Sequence, residues 1–446
     1  MTTLPPGSVA AAHASARVAR GWVVGFALVL VGPAGLRLLV ADTPSVFALL
    51  VDLTGLLAVS TMVCALVLSS RLRALSRAAG LTAVMSSHRF LGILTVALVL
   101  AHVAFVVADQ PANVALLGWV DAPARARAGT GAALALAGVV ALGVLRRTVR
   151  HRYENWRVAH LALGVAALGL TALHIWLIGQ LVHDALLGWA LAGLAGLALG
   201  ALAYRFPGAA LRTSEYVVRA VRPESATVCT VVLDPRGRPL QFAPGQFAWF
   251  RLENRLGAEE HPFTIASAAV AGRSTEITLT STGDFGALLR GLSPGTSVWV
   301  DGPYGDFTVD LRPAAGAAMI AAGVGITPMM SMLRTLAHRH DRRPFVLVRG
   351  AREVDELIFA DELADIAGRL DLTVVDVVRR APPGWPGVTG DVDRALLHAV
   401  LPDPHQLHQL DYYVCGPPGF VDGVVRDLAA LGVPDRCLHV EQFDPK

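Results

Sequence analysis

The sequence predicts a multi-domain membrane protein: a six-helix transmembrane bundle, then a small antiparallel β-barrel domain and an α/β doubly wound domain. Three observations predict it. Hydrophobic residues make up 54% of the 446 residues and charged residues only 16%, too apolar for an ordinary soluble protein. The apolar residues are concentrated before about residue 205, in six long stretches. Beyond them, closely spaced alternating stretches give way near Ala314 to strand–helix alternation.

Residues 1–20 read as a cytoplasmic tail, with Arg17 and Arg20 ahead of the first apolar stretch. That stretch is long and lacks a convincing cleavage site, so it reads as a retained helix and not a signal peptide. The transmembrane domain covers 21–205. Its spans are Trp22–Val40, Val46–Ser69, His88–Val107, Gly131–Leu145, Trp156–Gly179 and Ala185–Tyr204, the fourth short enough to begin earlier. Arg71, Arg73, Arg77 and Arg89 lie between or beside spans two and three, and Arg146, Arg147, Arg150, Arg152 and Arg157 between or beside spans four and five. The positive-inside rule puts these loops, the N-terminus and everything after Tyr204 in the cytoplasm of a cell-membrane protein. Arg125 and Arg127 in an outer loop are outnumbered. A net charge of +3 says little about partners, and no nucleic acid is expected among them.

Four histidines sit inside the spans as two pairs. His88 and His102 are fourteen residues apart, and so are His160 and His174. At 100° per residue, fourteen residues fall about 40° short of four turns and rise ~21 Å, so each pair shares one helix face. One imidazole then lies near each side of a ~30 Å hydrocarbon core. Ionisable groups at that depth are costly and usually functional. Spans three and five run in the same direction, which pairs His88 with His160 near the cytoplasm and His102 with His174 near the outside. A single membrane histidine is often a packing residue, but two equally spaced pairs suit two haems, each with two axial imidazoles. The four cysteines (Cys64, Cys229, Cys415, Cys437) form no CxxCH, so the haems are expected to be b-type. Arg37, near the outer end of span one, is a candidate partner for a propionate there.

After a linker (Phe206–Arg212), Tyr216–Val221, Thr227–Leu233, Phe247–Leu252 and Glu276–Ser281 read as strands of a barrel over 213–312. Over 313–446, Ala317–Ala322, Phe345–Val348, Leu372–Val378 and Tyr412–Cys415 read as parallel strands with helices between them. GVGITP (Gly323, Val324, Gly325, Ile326, Thr327, Pro328) follows one such strand. Its glycines allow a tight turn and close approach of a pyrophosphate, and the following helix Met329–Leu336 offers its N-terminal N–H groups. CGPPG, beginning Cys415, Gly416, Pro417, follows another strand at the carboxyl edge, where ligands of such sheets bind. GDFG (Gly283, Asp284, Phe285, Gly286) opens a short helix, Ala287–Gly291.

APGQF at Ala243–Phe247, HPFTIAS from His261, GDFG, GPYGDF, GVGITP and CGPPG, in that order behind six spans and two histidine pairs, resemble the ferric reductase and NADPH oxidase superfamily. The resemblance runs over about residues 20–446, and the soluble part looks like the ferredoxin–NADP reductase fold. It implies an FAD-binding barrel and an NAD(P)H-binding α/β domain. It implies that His261, Pro262, Phe263 and Thr264 contact the flavin, with Thr264 hydrogen-bonded to the isoalloxazine and Ser267 nearby. GDFG would meet the flavin pyrophosphate, although Gly286 stands where a Thr or Ser is usual. Cys415 would lie beside the nicotinamide. The terminal EQF (Glu441–Phe443) resembles the segment whose aromatic, here Phe443, stacks on the flavin; Asp444–Lys446 extend beyond it. Arg352 resembles the position that reads the adenosine end. A guanidinium there suits a 2′-phosphate, but NADH-using relatives carry one too, so NADPH or NADH stays open.

The expected activity is transmembrane electron transfer from cytoplasmic NAD(P)H through FAD and two haems b to an external acceptor, a ferric chelate or O2. One alternative is a dedicated superoxide-producing oxidase. Members of that kind often carry a second histidine one turn beyond the outer ligand, where this chain has Val106. A second alternative, from a different class, is a metal or proton transporter regulated by a nucleotide-binding domain.

Overall fold

The computed structural model describes residues 6–40, 45–145, 153–252, 260–270, 272, 274–281, 284–311, 314–401 and 404–443. Ser15–Ala209 form one compact unit, and Ala210–Lys446 form the bulk of a second.

Among the described residues, six helices are long and apolar enough to cross a bilayer. They are α1 (Pro6–Leu39), α2 (Val46–Ser69), α3 (Leu81–Asp109), α4 (Ala124–Leu145), α5 (Tyr153–Ile178) and α6 (Ala185–Arg205). The fourth begins seven residues earlier than Gly131, because Arg125 and Arg127 have good helix propensity and extend the apolar run without breaking it. Starts are set by side-chain caps: Ser45 accepts from the Ala48 N–H, and Asp184 from that of Leu187, each at 2.9 Å. Gly80, at φ 76°, separates the short helix Arg73–Ala79 from α3, a backbone turn that glycine tolerates without strain. Large apolar side chains such as Val23, Leu28, Phe90, Ile93, Leu100, Trp176 and Trp189 face outward. Water would not tolerate so large an exposed apolar surface, but lipid does.

Two helix pairs make up most of the bundle's packing, α2 on α3 and α4 on α5. The Thr61 and Thr95 hydroxyls meet at 2.9 Å between α2 and α3. Among the described residues, the histidine-bearing helices α3 and α5 form no extended contact with each other.

A short helix, Pro207–Arg212, spans the division between the two units, where a linker was expected; Pro207 starts it and Ala209–Leu211 sustain it. A six-stranded antiparallel sheet follows, ordered β4-β3-β6-β1-β2-β5. Its strands are β1 (Ser214–Pro223), β2 (Val228–Pro235), β3 (Phe247–Arg251), β4 (His261–Thr264), β5 (Thr275–Thr280) and β6 (Ser297–Tyr304). A bridge from Ile265 to Ile277 curls β4's end back to β5 and closes the barrel. Tyr216, Val231, Leu233, Phe250 and Ile277 fill it, each burial stabilising by ~1.5–3 kcal/mol. The segment HPFT of β4, read above only as a motif, is itself a strand paired with β3, with Thr264 opposite Phe247.

The second sheet is parallel, ordered β10-β9-β8-β7-β11-β12. Its strands are β7 (Gly316–Ala322), β8 (Pro344–Ala351), β9 (Asp371–Val378), β10 (Val388–Thr389), β11 (Leu410–Gly416) and β12 (Leu438–Gln442). Strand order reverses between β7 and β11, the switch point beyond whose carboxyl ends ligands of such sheets bind. One face packs against α8 (Ile326–His338) and α9 (Ala360–Ala367), through Met329, Met332, Leu333 and Leu336. The other packs against α10 (Arg394–Val400) and α11 (Pro418–Ala430). The barrel's short helix, Asp284–Arg290, is α7 in chain order.

Candidate functional site

Two sites are built separately, one in each unit. In the bundle, His88 on α3 meets His160 on α5 with ring centroids 6.3 Å apart, and His102 meets His174 at 6.4 Å. Two imidazoles bonded to one metal at ~2.0–2.1 Å put their centroids about 6.3–6.5 Å apart, so each gap is the width of one axially ligated ion.

The ring orientations point the same way. His88 Nδ1 lies 2.9 Å from the Ala65 carbonyl, His102 Nδ1 2.9 Å from that of Val51, and His174 Nδ1 2.7 Å from that of Arg125. A carbonyl only accepts, so Nδ1 carries the proton and Nε2 keeps its lone pair free for a metal. His160 faces the Val139 carbonyl without completing a hydrogen bond, and Trp156 stacks on its ring at 5.1 Å. Among the described residues no three His, Cys, Asp or Glu side chains gather into a metal cage. Two donors per gap suit a metal whose other four ligands come from a porphyrin, so the residues fit haem. Arg37 is held by Asp52 at 2.8 Å and by the Val40 carbonyl, so its guanidinium is already engaged. Arg146, Arg147, Arg150 and Arg152 lie outside the described residues.

In the second unit, the carboxyl ends of the paired strands β7 and β11 meet the turn that starts α8. Gly323 takes φ +56° after β7, and the 3-10 turn Gly323–Gly325 leads straight into α8. That helix starts at Ile326 and not at Met329, so Ile326, Thr327 and Pro328 form its first turn, where Thr327 Oγ1 donates to the Val324 carbonyl at 2.9 Å. A Cβ on Gly325 would stand 2.4 Å from the Cys415 carbonyl, so only glycine lets the two ligand-edge loops touch. Gly416 packs its Cα against Phe420, and Pro417 caps α11.

Cys415 is fully buried, and burial pushes its thiol well above the ordinary range, so it stays a neutral thiol. Glu441 stands opposite it in the β11–β12 register. Glu441 Oε2 is enclosed and makes no hydrogen bond. Burial, with the nearby charge of Asp306 second, pushes its carboxyl up to about 8. The Phe443 N–H donates to the Gly416 carbonyl at 3.0 Å, which ties the terminal aromatic to the core around Ile326 and Cys415.

Thr264 ends β4, and its buried Oγ1 also has no hydrogen-bond partner. A buried orphan hydroxyl costs ~1–3 kcal/mol unless a ligand satisfies it, and a flavin ring edge offers both donors and acceptors. Ser267 is already occupied, since its Oγ accepts from the Glu276 N–H at 3.2 Å. His261 stacks against Phe263, with Pro262 between them in β4. Gly283 lies outside the described residues. Asp284 and Phe285 open α7, and a Cβ on Gly286 would stand 2.5 Å from the Thr280 carbonyl. Packing therefore demands the glycine found where a Thr or Ser is usual. Arg352 is exposed at the end of β8 and paired with Glu356 at 2.8 Å.

Sequence reading missed the residues that join the two soluble domains. Arg334 on α8 donates from Nη1 to the Ala266 carbonyl at 2.7 Å and to Glu276 Oε2 at 3.1 Å, and grips Glu362 with Nε and Nη2. Ser331 Oγ donates to the Ser267 carbonyl at 2.9 Å, and Thr335 Oγ1 accepts from the Ala269 N–H at 2.8 Å. The helix that follows GVGITP is thus bolted to the strand end that follows HPFT. Their spacing, i, i+3 and i+4 on one helix face, was the available signal, but nothing local marks their partners.

Residues 54–171 match the family described as ferric reductase like transmembrane component, and residues 319–426 the oxidoreductase NAD-binding domain. Ferredoxin–NADP reductase B of Sorangium cellulosum is 30% identical over 50% of this chain and 95% of its own length. The reductase component of propane 2-monooxygenase of Mycolicibacterium goodii is 28% identical over 51% of this chain, which spans 66% of that relative. Among solved structures, the FAD/NAD-binding domain of nitric oxide dioxygenase from Vibrio cholerae is 28% identical, with TM-score 0.47, over 52% of this chain and 99% of that one.

Proposed function

The chain belongs to the ferric reductase-like proteins, a transmembrane component fused to a ferredoxin–NADP reductase-like oxidoreductase, and on that premise we propose that it carries electrons from cytoplasmic NAD(P)H across the cell membrane to an outer acceptor, a ferric chelate or O2. When bound, nicotinamide, flavin and two b-type haems supply hydride transfer, its division into single electrons, and their passage across the bilayer.

The chain's own residues bind, orient and enclose. Thr264 offers its free hydroxyl to the flavin edge, with His261, Pro262 and Phe263 along the same strand. Phe443, tied to Gly416, would hold its ring over the flavin. Gly323–Pro328 hold the dinucleotide's pyrophosphate at the start of α8. Cys415 borders the nicotinamide as a neutral thiol, and Glu441 opposite it stays protonated until near pH 8. Arg352 serves the adenosine end by exchanging Glu356 for a phosphate. His88 with His160, and His102 with His174, hold the two irons.

The observation that carries this reading is the pair of ring separations, 6.3 and 6.4 Å, with Nδ1 turned to backbone carbonyls. With two imidazoles at each gap, the residues would hold each iron from both sides and leave no position at the metal for an external acceptor. The test is purified full-length protein, assayed for b-type absorbance and for NADPH- or NADH-driven ferric-chelate reduction with and without superoxide dismutase. Two haems per chain and dismutase-insensitive reduction are expected for a metal reductase. Reduction abolished by the dismutase would instead make O2 the acceptor, and a colourless protein would overturn the transmembrane reading.

A further inference from the structure

We propose that Gly55 and Gly129 are positioning residues for the His102–His174 pair: each leaves open a notch through which the imidazole reaches a backbone carbonyl, and so aims Nε2 at the shared iron. The inference rests on the haem-ligation reading above and assigns a role to residues outside the ligand set.

The notch follows from helix geometry. Cα–Cβ bonds tilt toward the helix N-terminus, so the side chain at i+4 covers the carbonyl of residue i. That carbonyl already accepts its own helical bond, and a side chain at i+4 crowds an outside donor that approaches its second lone pair. On α2, His102 bonds the Val51 carbonyl, and the residue four positions on is Gly55. On α4, His174 bonds the Arg125 carbonyl, and the residue four positions on is Gly129. A Cβ on Gly129 would stand 2.9 Å from His174 Nδ1 and 3.0 Å from its Cε1. A Cβ on Gly55 would stand 3.2 Å from both Nδ1 and Cε1 of His102. The ring therefore occupies the volume a side chain would fill.

The other pair is built on the same register without the same tightness. Ala65 and Val139, which face His88 and His160, lie fourteen residues beyond Val51 and Arg125, the interval that separates the histidines themselves. Four positions beyond Ala65 stands Ser69, whose hydroxyl is turned to the Leu66 carbonyl. Four positions beyond Val139 stands Gly143, where an added Cβ would meet nothing within 4 Å. An added Cβ would thus crowd the ring at both histidines of one pair, whereas at the other pair Ser69 is accommodated and Gly143 has open space, so Gly143 is a built-in control.

The experiment uses full-length protein made with ample haem supply. Readouts are haem per chain, the two midpoint potentials and the low-spin EPR signals. Gly129→Ala should weaken one haem by about 10–100-fold, the range seen when groups that orient a metal-bound histidine are lost. Retained flavin and an unchanged second haem would show that the fold survives. Gly55→Ala, the milder intrusion, should alter the potential and EPR signal of that same haem, identified as the one lost in His102→Ala. Gly143→Ala should leave both haems as in the wild type. Wild-type potentials and signals in both Gly55→Ala and Gly129→Ala would overturn the inference, as would an equal disturbance by Gly143→Ala, which would mean general bundle packing. A wild-type protein without haem would instead defeat the ligation reading, a separate failure.

Discussion

Arg334→Ala should uncouple the nucleotide helix from the flavin barrel. The Arg334 side chain is only 10% exposed, whereas Glu362 is 40% exposed. The Glu362 pair therefore counts nearly as a surface bridge, worth ~0.2–1 kcal/mol. The enclosed contacts weigh more: losing a charged donor to Glu276 and to the Ala266 carbonyl costs ~1.5–3 kcal/mol. The guanidinium also lies 5.2 Å from the Phe359 ring centroid, a contact worth ~0.5–1 kcal/mol. The expected loss is about 3 kcal/mol in the soluble unit, a fall in melting temperature of about 6–12 °C for its size. Flavin fluorescence followed through thermal unfolding of the full-length protein reads that shift, and stopped-flow flavin reduction by NADPH reads the coupling. Glu362→Gln should fall by less than ~1 kcal/mol under the same conditions. An Arg334→Ala protein within ~1 kcal/mol of the wild type, with unaltered flavin reduction, would refute the reasoning.

Two further outcomes follow from the enclosed polar atoms of Glu441 and Thr264. Glu441 has a carboxyl raised to about 8, so it contributes stability at acid pH that is lost as pH rises through the folded value. The melting temperature should therefore decline between the ordinary carboxylate range and pH ~8, and the flavin-reduction rate should show a step near 8; Glu441→Gln should remove both features, and their persistence would exclude Glu441 as the titrating group. Thr264→Val should act in opposite directions with and without flavin. Removing the orphan hydroxyl should stabilise flavin-free protein by ~1 kcal/mol and weaken FAD binding about fivefold, as calorimetry and flavin titration would read; a variant that binds FAD as tightly as the wild type would remove Thr264 from the flavin contacts.

Much of the architecture could be read locally. Six apolar runs, a fourteen-residue histidine interval and a switch from strand spacing to strand–helix alternation are one-dimensional patterns, because helix and strand periods are properties of the backbone. The glycine-rich turns were legible for the same reason, since tight turns and close approaches select glycine wherever they occur. What each histidine's second nitrogen does was not legible: it depends on carbonyls of Val51, Ala65 and Arg125 on neighbouring helices, and backbone carbonyls carry no residue identity. Gly286 looked like a missing phosphate contact until the Thr280 carbonyl was found in the place of its side chain. The sequence by itself determined which helix face carries the histidines and which loops meet the sheet's ligand edge. Only the tertiary structure decided that Cys415 is buried opposite Glu441 at the end of β11, that Thr264 is left without a partner and that Arg334 joins two domains. Periodicity acts along the chain, whereas burial and hydrogen-bond satisfaction are settled by residues distant in sequence that packing brings within a few ångströms.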